Sequence, residues 1–260
     1  MSVLDDIVAG AREDAATREA ALPIGQLRDL ALSTPAPRDP MPAFREQGLS
    51  VIAEVKRRSP SKGHLADIPD PAELAAKYAA GGADAISVLT EPRRFNGSLD
   101  DLRAVRAAVP TPLLRKDFIV NDYQLLEARA AGADLALLIV AALDDDTLRH
   151  LHDFTRELGL TPLVETHDEV EIERALAIGA ELIGVNARNL KTLEVDPDAF
   201  GRLVRLLPDD VVKVAESGIT GVEDARRYQD EGADVVLVGE ALVKDGDPEN
   251  AVRMMRSLGR

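Results

Sequence analysis

The chain has no cysteine among its 260 residues, which excludes disulfides, cysteine-ligated iron–sulfur clusters and thiol nucleophiles. Any chemistry must use other groups. It also lacks an apolar run approaching the ~18 residues that would suggest a membrane span. The opening residues, MSVLDDIVAGARED, carry early acids and no cationic start or continuous apolar segment, so they do not read as a secretory signal, and the cytoplasm is the expected location. Positive charge is in deficit: the formal net charge of −15 repels nucleic acid and anionic membrane in bulk. Neither is expected as a partner, and an anionic ligand would have to be held by a local cluster of cations and amides. The densest such cluster is IAEVKRRSPSKG at 52–63. Two site motifs are missing as well: there is no G-x-S-x-G nucleophile turn and no G-x-G-x-x-G dinucleotide turn, SGITG at 217–221 having only part of that spacing.

What is present is a weak internal repeat: AGGADAISVLT (80–90), AAGADLALLIV (130–140), AIGAELIGVN (177–186) and DEGADVVLVGE (230–240). Each copy joins a helix-ending glycine to an acid and then to a short apolar strand, and the copies start roughly fifty residues apart. Between them lie SVIAEVK (50–56), TPLLRKDF (111–118), TPLVETH (161–167) and VVKVAES (211–217), giving eight strands in all. Helical stretches such as PAELAAKYAA (71–80), NDYQLLEARAA (121–131), DEVEIERALAI (168–178) and VEDARRYQDE (222–231) fill the gaps. Near-continuous apolar strands alternating with amphipathic helices at this length predict a closed (β/α)8 barrel of the TIM type, because parallel strands buried on both faces need a helix in each crossover. A doubly wound open sheet is the alternative.

Residues 1–49 precede the first strand. Val3, Leu4, Ile7, Val8 and Ala11 have helical spacing, and STPAPRDPMP (33–42) is a proline-rich connector that cannot be a long helix. The expected organisation is a helical extension (1–49) packed on the catalytic barrel (50–260), with a floppy tail as the alternative. The chain ends soon after the eighth strand and its helix, so no fused second enzyme is expected.

In such a barrel the working groups sit at the C-terminal ends of strands. The first strand ends with Glu54 and Lys56, the third with Lys116, Asp117 and Phe118, and the fifth with Glu165. The sixth ends with Asn186 and Arg188, the seventh with Glu216 and Ser217, and the eighth with Gly239. Strand alternation puts Glu54 with Lys56, and Asn186 with Arg188, on one face. Two lysines and two or three glutamates in a partly desolvated pocket can have their pKa values pushed apart, as general acid–base chemistry requires. A ring of structural salt bridges at the mouth is the competing reading. Ser217-Gly218-Ile219 and Gly239-Glu240-Ala241 occupy the loops after strands seven and eight, where many barrels bind phosphate on backbone N–H groups. His150 and His152 lie two apart in an expected helix, poor geometry for a metal, and read as surface or capping residues. DDDT at 144–147 reads as a helix cap rather than a cation site.

Taken in order, EVKRRSPSKG, TEPRRFNGS (90–98), LLRKDFIV (113–120), LVETH (163–167), GVNARNLKTLEVD (184–196), VAESGI (214–219) and LVGEAL (237–242) resemble the indole-3-glycerol phosphate synthase family. The likeness runs from about residue 50 to about 245, and the helical segment before the barrel is similar to that family's too. It implies a carboxy-lyase of tryptophan biosynthesis that closes the ring of 1-(2-carboxyphenylamino)-1-deoxyribulose 5-phosphate, with loss of carbon dioxide and water. No cofactor, metal or obligate protein partner is implied, only a small phosphorylated substrate.

By motif position the resemblance makes Lys116 the general acid on the substrate carbonyl. Lys56 neutralises substrate anions and serves the dehydration, Glu165 is the leading general base, and Glu54 shares or assists that role. Asn186 and Glu216 hold substrate hydroxyls or orient the lysines, Arg188 pairs with carboxylates at the rim, and Phe95 and Phe118 pack on the anthranilate ring. Ser59, Ser217, Gly218, Gly239 and the amide of Glu240 surround the phosphate, while Arg57, Arg58 and Lys62 only steer the anion inward. The physics expected of Lys116 is a pKa lowered by the desolvated wall beside Phe118. Two positions depart from the family's pattern. Glu240 stands where some relatives carry a small hydroxyl residue, so its side chain should point away from phosphate; Ala187 should be turned away from the mouth by alternation. A phosphosugar isomerase would usually rely on an acid–base pair that includes cysteine or aspartate, and the chain has no cysteine; a catalytically silent barrel predicts loss of Glu54, Lys56, Lys116 or Glu165, none of which is lost.

Overall fold

The computed structural model describes residues 3–59, 63–65, 68–190 and 192–259. Each of the eight apolar runs forms a strand: β1 (Ser50–Val55), β2 (Ala85–Leu89), β3 (Leu113–Lys116), β4 (Leu135–Ile139), β5 (Thr161–Thr166), β6 (Leu182–Asn186), β7 (Val212–Glu216) and β8 (Val235–Val238). All pair in parallel with their sequence neighbours, and β8 closes on β1, with Ile52 opposite Leu237 on one side and Ala85 on the other. The barrel reading holds and the open sheet does not.

Closure leaves each strand residue two directions. Ile52, Leu114, Leu163, Leu182, Val214 and Leu237 point inward and form the barrel's own core. Their neighbours Val51, Leu113, Val164, Ile183, Ala215 and Val236 point outward and pack beneath the helices. Burying both faces is what makes the strands read as unbroken apolar runs. The crossover helices are α4 (Pro71–Ala80), α5 (Leu99–Ala108), α6 (Asp122–Ala130), α7 (Asp145–Glu157), α8 (Glu169–Ala177), α9 (Ala199–Leu203) and α10 (Val222–Glu231); short α11 (Glu240–Val243) and α12 (Pro248–Arg256) follow β8. Side-chain caps start many of them, among them Asp70, Ser98, Asn121 and Asp144, the last accepting from the Thr147 N–H at 2.8 Å as its sequence predicts.

The glycine–acid repeat has a structural purpose at the barrel's bottom. Gly132 (φ 86°) and Gly232 (φ 110°) turn left-handed out of their helices, a conformation that costs glycine little. The acid two residues on then reaches sideways. Asp84, Asp134 and Asp234 accept from the backbone N–H of Val51, Leu113 and Lys213 at 2.9, 2.7 and 2.8 Å. Each staples the start of one strand to the next, satisfying a buried donor that has no ladder partner. Asp134 also receives the Arg38 N–H and the Arg106 guanidinium, both at 2.7 Å. Glu181, the fourth acid, is one methylene longer and stays at the surface beside Arg45.

Three helices precede the barrel: α1 (Val3–Ala21), α2 (Ile24–Ser33) and α3 (Met41–Phe44), with the proline-rich stretch breaking the helix between the last two. Leu4, Ile7 and Ala11 of α1 join the inner core beside Phe118. Phe44 of α3 belongs to the same cluster, and its neighbour Ala43 accepts from the Ser50 hydroxyl at the base of β1. Arg18 ties α1 to Glu127 of α6 (2.5 and 2.9 Å), and Glu127 in turn faces Arg115 of β3. Arg115 is only 1% exposed yet fully partnered, by Thr90, Asp117 and the Gln124 carbonyl, which is the condition for a buried charge to be tolerated.

One expectation fails on α7. His150 is exposed and contacts Asp122 at 2.7 Å, but His152 is 1% exposed, turned beneath the helix instead of lying at the surface. A spacing of two rotates side chains by about 200° on a helix, so one of the pair had to face the core.

The staple predicts unequal effects at equivalent repeat positions. Asp134→Ala should cost about 3 kcal/mol in urea unfolding, because a buried donor and a buried guanidinium lose their acceptor. Glu181→Ala should change stability by no more than about 0.5 kcal/mol. Similar losses at both would refute the staple.

Candidate active site

The parity that buries Ile52, Leu114, Leu163, Val214 and Leu237 inside the barrel carries Glu54, Lys116, Glu165, Glu216 and Gly239 to the same inner face one step nearer the C-terminal mouth. Asn186 follows Leu182 and Gly184 in the same way. These residues line one pocket, together with Lys56, Ser59, Phe95, Phe118, Arg188, Ser217, Gly218 and Glu240. Every residue given a catalytic, phosphate-binding or ring-packing role from the sequence is therefore brought to one place; Arg57 and Arg58 are not in that lining.

At its centre the Lys116 ammonium lies 2.8 Å from Glu165 Oε2 and 2.5 Å from Glu216 Oε2. A second ion pair, Lys56 with Glu54, stands beside it on β1. Burial alone would lower the Lys116 pKa, but the charges of Glu165, Glu216 and Glu54 outweigh it and hold the ammonium above the ordinary lysine range. The lowered pKa expected from an apolar wall is thus corrected: the wall is present, but two carboxylates are closer. Those carboxylates are driven apart. Glu216 is pushed up to about 8 by burial and by the charge of Glu165, against the pull of Lys116. Glu165, equally buried, is held well below the usual carboxylate range by Lys116 and His167. The two acids are pushed in opposite directions, the separation that acid–base work requires.

Glycines shape this cluster. Glu216 Oε1 is buried without a hydrogen-bond partner and leans over Gly184, where a Cβ would collide with it. A Cβ on Gly239 would come within 2.9 Å of Glu54 Oε1, so this glycine makes room for a carboxylate as well as opening α11. Ser217 (φ 68°) and Gly218 (φ 73°) are both left-handed; for serine that conformation carries strain of the kind that gathers at functional sites. The Ser217 hydroxyl and the Arg188 N–H both donate to Asn186 Oδ1, at 2.8 and 3.0 Å. With that oxygen engaged, the Asn186 amide nitrogen is the group left to offer a ligand.

The mouth is walled by apolar groups. Phe95 and Phe118 are 6.1 Å apart with rings tilted by 39°. Glu91, buried and not singled out from the sequence, holds the loop carrying Phe95 by accepting from the N–H groups of Arg93, Arg94 and Phe95 at 3.0, 2.7 and 2.9 Å. Leu4 and Ile7 of α1 and Leu190 and Leu193 after β6 add apolar surface to the lining. The helical spacing of Leu4 and Ile7 announced a buried face but could not say what it would cover. The Arg188 guanidinium donates to the Leu193 carbonyl at 2.9 Å, bracing that loop. Ala187 is buried outside the lining, as alternation requires.

In the β1 loop, Ser59 lies in a two-stranded ribbon (Arg58–Ser59 with Gly63–His64) and lines the pocket. Arg57 is not a steering charge. Its guanidinium is engaged with both oxygens of Asp101 (2.6 and 3.0 Å) and with the Ile68 carbonyl (3.0 Å), which ties the loop to α5. Arg58 is exposed, and Lys62 lies outside the described residues. Among the described residues no cluster of three or more histidines or acids could hold a metal ion, and no helix is long and apolar enough to cross a membrane.

A barrel with this mouth is shared by many enzymes, so lineage decides among them. The family model described as indole-3-glycerol phosphate synthase matches residues 4–255. The chain belongs to the indole-3-glycerol phosphate synthase family. An indole-3-glycerol phosphate synthase from a Nocardioides species is 73% identical over 258 residues, covering 99% of each chain. One from Mycolicibacterium gilvum is 60% identical over 99% of this chain and 95% of its own. Among solved structures, 3-hexulose-6-phosphate synthase from Salmonella typhimurium (TM-score 0.65, 18% identity, 80% of this chain and 96% of that one) shares the fold alone. Thiamine phosphate pyrophosphorylase from Pyrococcus furiosus does likewise (TM-score 0.59, 18% identity, 82% and 96%). The family match reaches back to residue 4, so α1 with its Leu4 and Ile7 belongs to the matched region.

Two measurements on this family member follow from the central cluster. A carboxyl whose folded pKa lies above its unfolded value binds extra protons when folded, so its contribution to stability is lost as pH rises. For Glu216 that window runs from its ordinary 4.5 to about 8. Glu216→Gln should therefore gain stability relative to wild type between pH 5.5 and pH 8, within the window set by that shift; a constant difference would mean that Glu216 is ionised throughout. Gly184→Ala should drive the Glu216 carboxylate off Lys116 and lower turnover about a hundred-fold, in line with the cost of ångström misplacement at a reacting centre. Full turnover in that variant would show that the contact is dispensable.

Proposed function

We propose that this family member is an active indole-3-glycerol phosphate synthase, converting 1-(2-carboxyphenylamino)-1-deoxy-D-ribulose 5-phosphate to indole-3-glycerol phosphate, carbon dioxide and water. The observation that carries the mechanism is the Lys116 ammonium held between Glu165 and Glu216 at the foot of an apolar mouth, with the two carboxyls pushed in opposite directions, Glu165 down and Glu216 up. The aryl carbon bearing the carboxylate attacks the ribulose C2 carbonyl, forming the new C–C bond, and the carbonyl oxygen takes a proton from Lys116. To reach the ammonium, that oxygen displaces one carboxylate. Losing an anionic partner lowers the lysine's proton affinity, so Lys116 becomes a competent acid only when substrate is in place. Glu216, in contact with Lys116, can return the proton.

Loss of carbon dioxide leaves its electron pair in the ring and restores the benzene. Elimination of water then needs an acid at the departing hydroxyl and a base for a proton on the methylene carbon beside nitrogen. Lys56 supplies the first and Glu165 the second, with Glu54 orienting Lys56. Phe95 and Phe118 receive the anthranilate ring, whose burial keeps water from the reacting carbons. Asn186 offers its amide to the sugar hydroxyls, and Arg188, which lines the same pocket and braces the Leu193 carbonyl, pairs with carboxylates at the rim. Ser59, Ser217, Gly218, Gly239 and the Glu240 amide take the phosphate, the left-handed backbone at 217–218 letting an anion approach closely.

The purified protein given the carboxyphenylamino-deoxyribulose phosphate should generate indole fluorescence. Lys116→Ala should lower kcat by at least about a hundred-fold while KM changes by less than about five-fold, the pattern of a lost transition-state interaction. No fluorescence from folded wild-type protein would overturn the activity, and equal changes in kcat and KM would overturn the role given to Lys116.

A further inference from the structure

His167, two residues past Glu165, plays no part in the mechanism above, yet it is nearly buried at the edge of the same cluster. Its place is set by the start of α8. Asp168 caps that helix by accepting from the Glu171 N–H at 2.9 Å. The Glu171 carboxylate reaches back past the cap, as the acid of a capping box does, and one oxygen receives both the His167 backbone N–H (2.8 Å) and ring Nδ1 (2.9 Å). Two donors from one residue on one oxygen fix the ring. Its far nitrogen, Nε2, is buried with no hydrogen-bond partner and stands 3.4 Å from Glu165 Oε1. The other oxygen of Glu165 is the one on Lys116.

We propose that His167 is a positioning residue: clamped by Glu171, its imidazolium holds one oxygen of Glu165 so that the other stays on Lys116. A proton on Nδ1 is required by the contact with Glu171. A lone pair on Nε2 would face the Glu165 carboxylate, so both nitrogens carry hydrogen. The charged groups facing this pair agree. On the barrel side they are Lys116 from β3, Glu216 from β7 and Glu54 from β1, and on the helix side Glu171 from α8. β4 and β6 set the uncharged Ile139 and Gly184 beside Glu165. The turn after β4 has its Val140 carbonyl taken up by Arg174, which is itself paired with Asp145. Against the penalty of burial, Glu165 and Glu171 push the imidazole up to about 10, so the cation persists through neutral pH.

The inference rests on Glu165 acting as the base, and its test separates the two. Wild type, His167→Leu, His167→Gln and Glu171→Gln are compared for kcat, KM and thermal unfolding across the pH range. His167→Leu should lower kcat at least about ten-fold with KM held within about three-fold. The acid limb of its kcat profile should move to higher pH, because Glu165 loses a cation that keeps it ionised. His167→Gln, which retains a donor, should recover part of kcat but keep the shifted limb. In a Glu165→Gln background His167→Leu should add nothing, since a positioning residue has nothing left to position. A folded His167→Leu with wild-type kcat and acid limb, or additive losses in the double variant, would overturn the proposal. Should His167→Leu not fold, Glu171→Gln, at the outer end of the clamp, must show the shifted limb; an unmoved limb there overturns it equally. An inactive wild type would overturn the assigned activity and this role together, whereas an active enzyme indifferent to His167 overturns the role alone.

Discussion

Closure of eight parallel strands is the constraint on which everything else in this molecule depends. A closed sheet has an inside too narrow for anything but side chains, and strand pleating hands alternate residues to it. The rule that fills the lower barrel with Ile52, Leu114, Leu163 and Val214 continues upward to Glu54, Lys116, Glu165 and Glu216. These charges are inside because their strands are continuous, and they are tolerated because they meet one another at an open mouth. The outward parity at the same height has the opposite fate. Arg115 precedes Lys116 in sequence but lies outside the barrel wall, in a network through Asp117 and Glu127 that links β3 to α6 and, through Arg18, to α1.

The chemistry depends on how the inward charges share a small volume. One ammonium cannot fully neutralise two buried carboxylates, so their proton affinities are pushed apart, Glu216 up and Glu165 down. The direction of each shift is decided by further neighbours: Glu165 has a second cation in His167, whereas Glu216 has the charge of Glu165 beside it and its Oε1 lies over Gly184 without a hydrogen-bond partner. The resulting split gives one pocket a carboxyl with lowered proton affinity, another with raised proton affinity, and an ammonium between them. It arises without any residue that is unusual in type. The helix before the barrel belongs to the same arrangement, because Leu4 and Ile7 supply apolar wall above charges that would otherwise be more fully hydrated.

Much of this was legible in the chain. Eight apolar runs, four of them introduced by a glycine and an acid, mark the strands, since burial on both faces erases the polar alternation of an open sheet. Position at strand ends then selects Glu54, Lys56, Lys116, Glu165, Asn186 and Glu216, and period-two alternation puts them on one face. The loops were read less well. Arg57 looks like a free cation in RRSPSKG, yet it is held by Asp101, a residue more than forty positions away. Glu91 looks like a surface acid, yet it organises the turn bearing Phe95. Nothing local distinguishes either case, because each role depends on which loop lies across from it.

By itself the sequence determined the barrel, its register of inward and outward residues, and the identity of the groups at its mouth, because strand parity and helix capping are short-range properties of the chain. Only the tertiary structure decided the protonation of those groups. The Phe118 wall beside Lys116 suggested a lowered pKa, and the fold reversed it by bringing Glu165 and Glu216 to 2.8 and 2.5 Å from strands 49 and 100 residues away. Coulomb interactions at contact distance in a buried site exceed what a neighbouring ring can do, and no local stretch of sequence records which charges will be in contact.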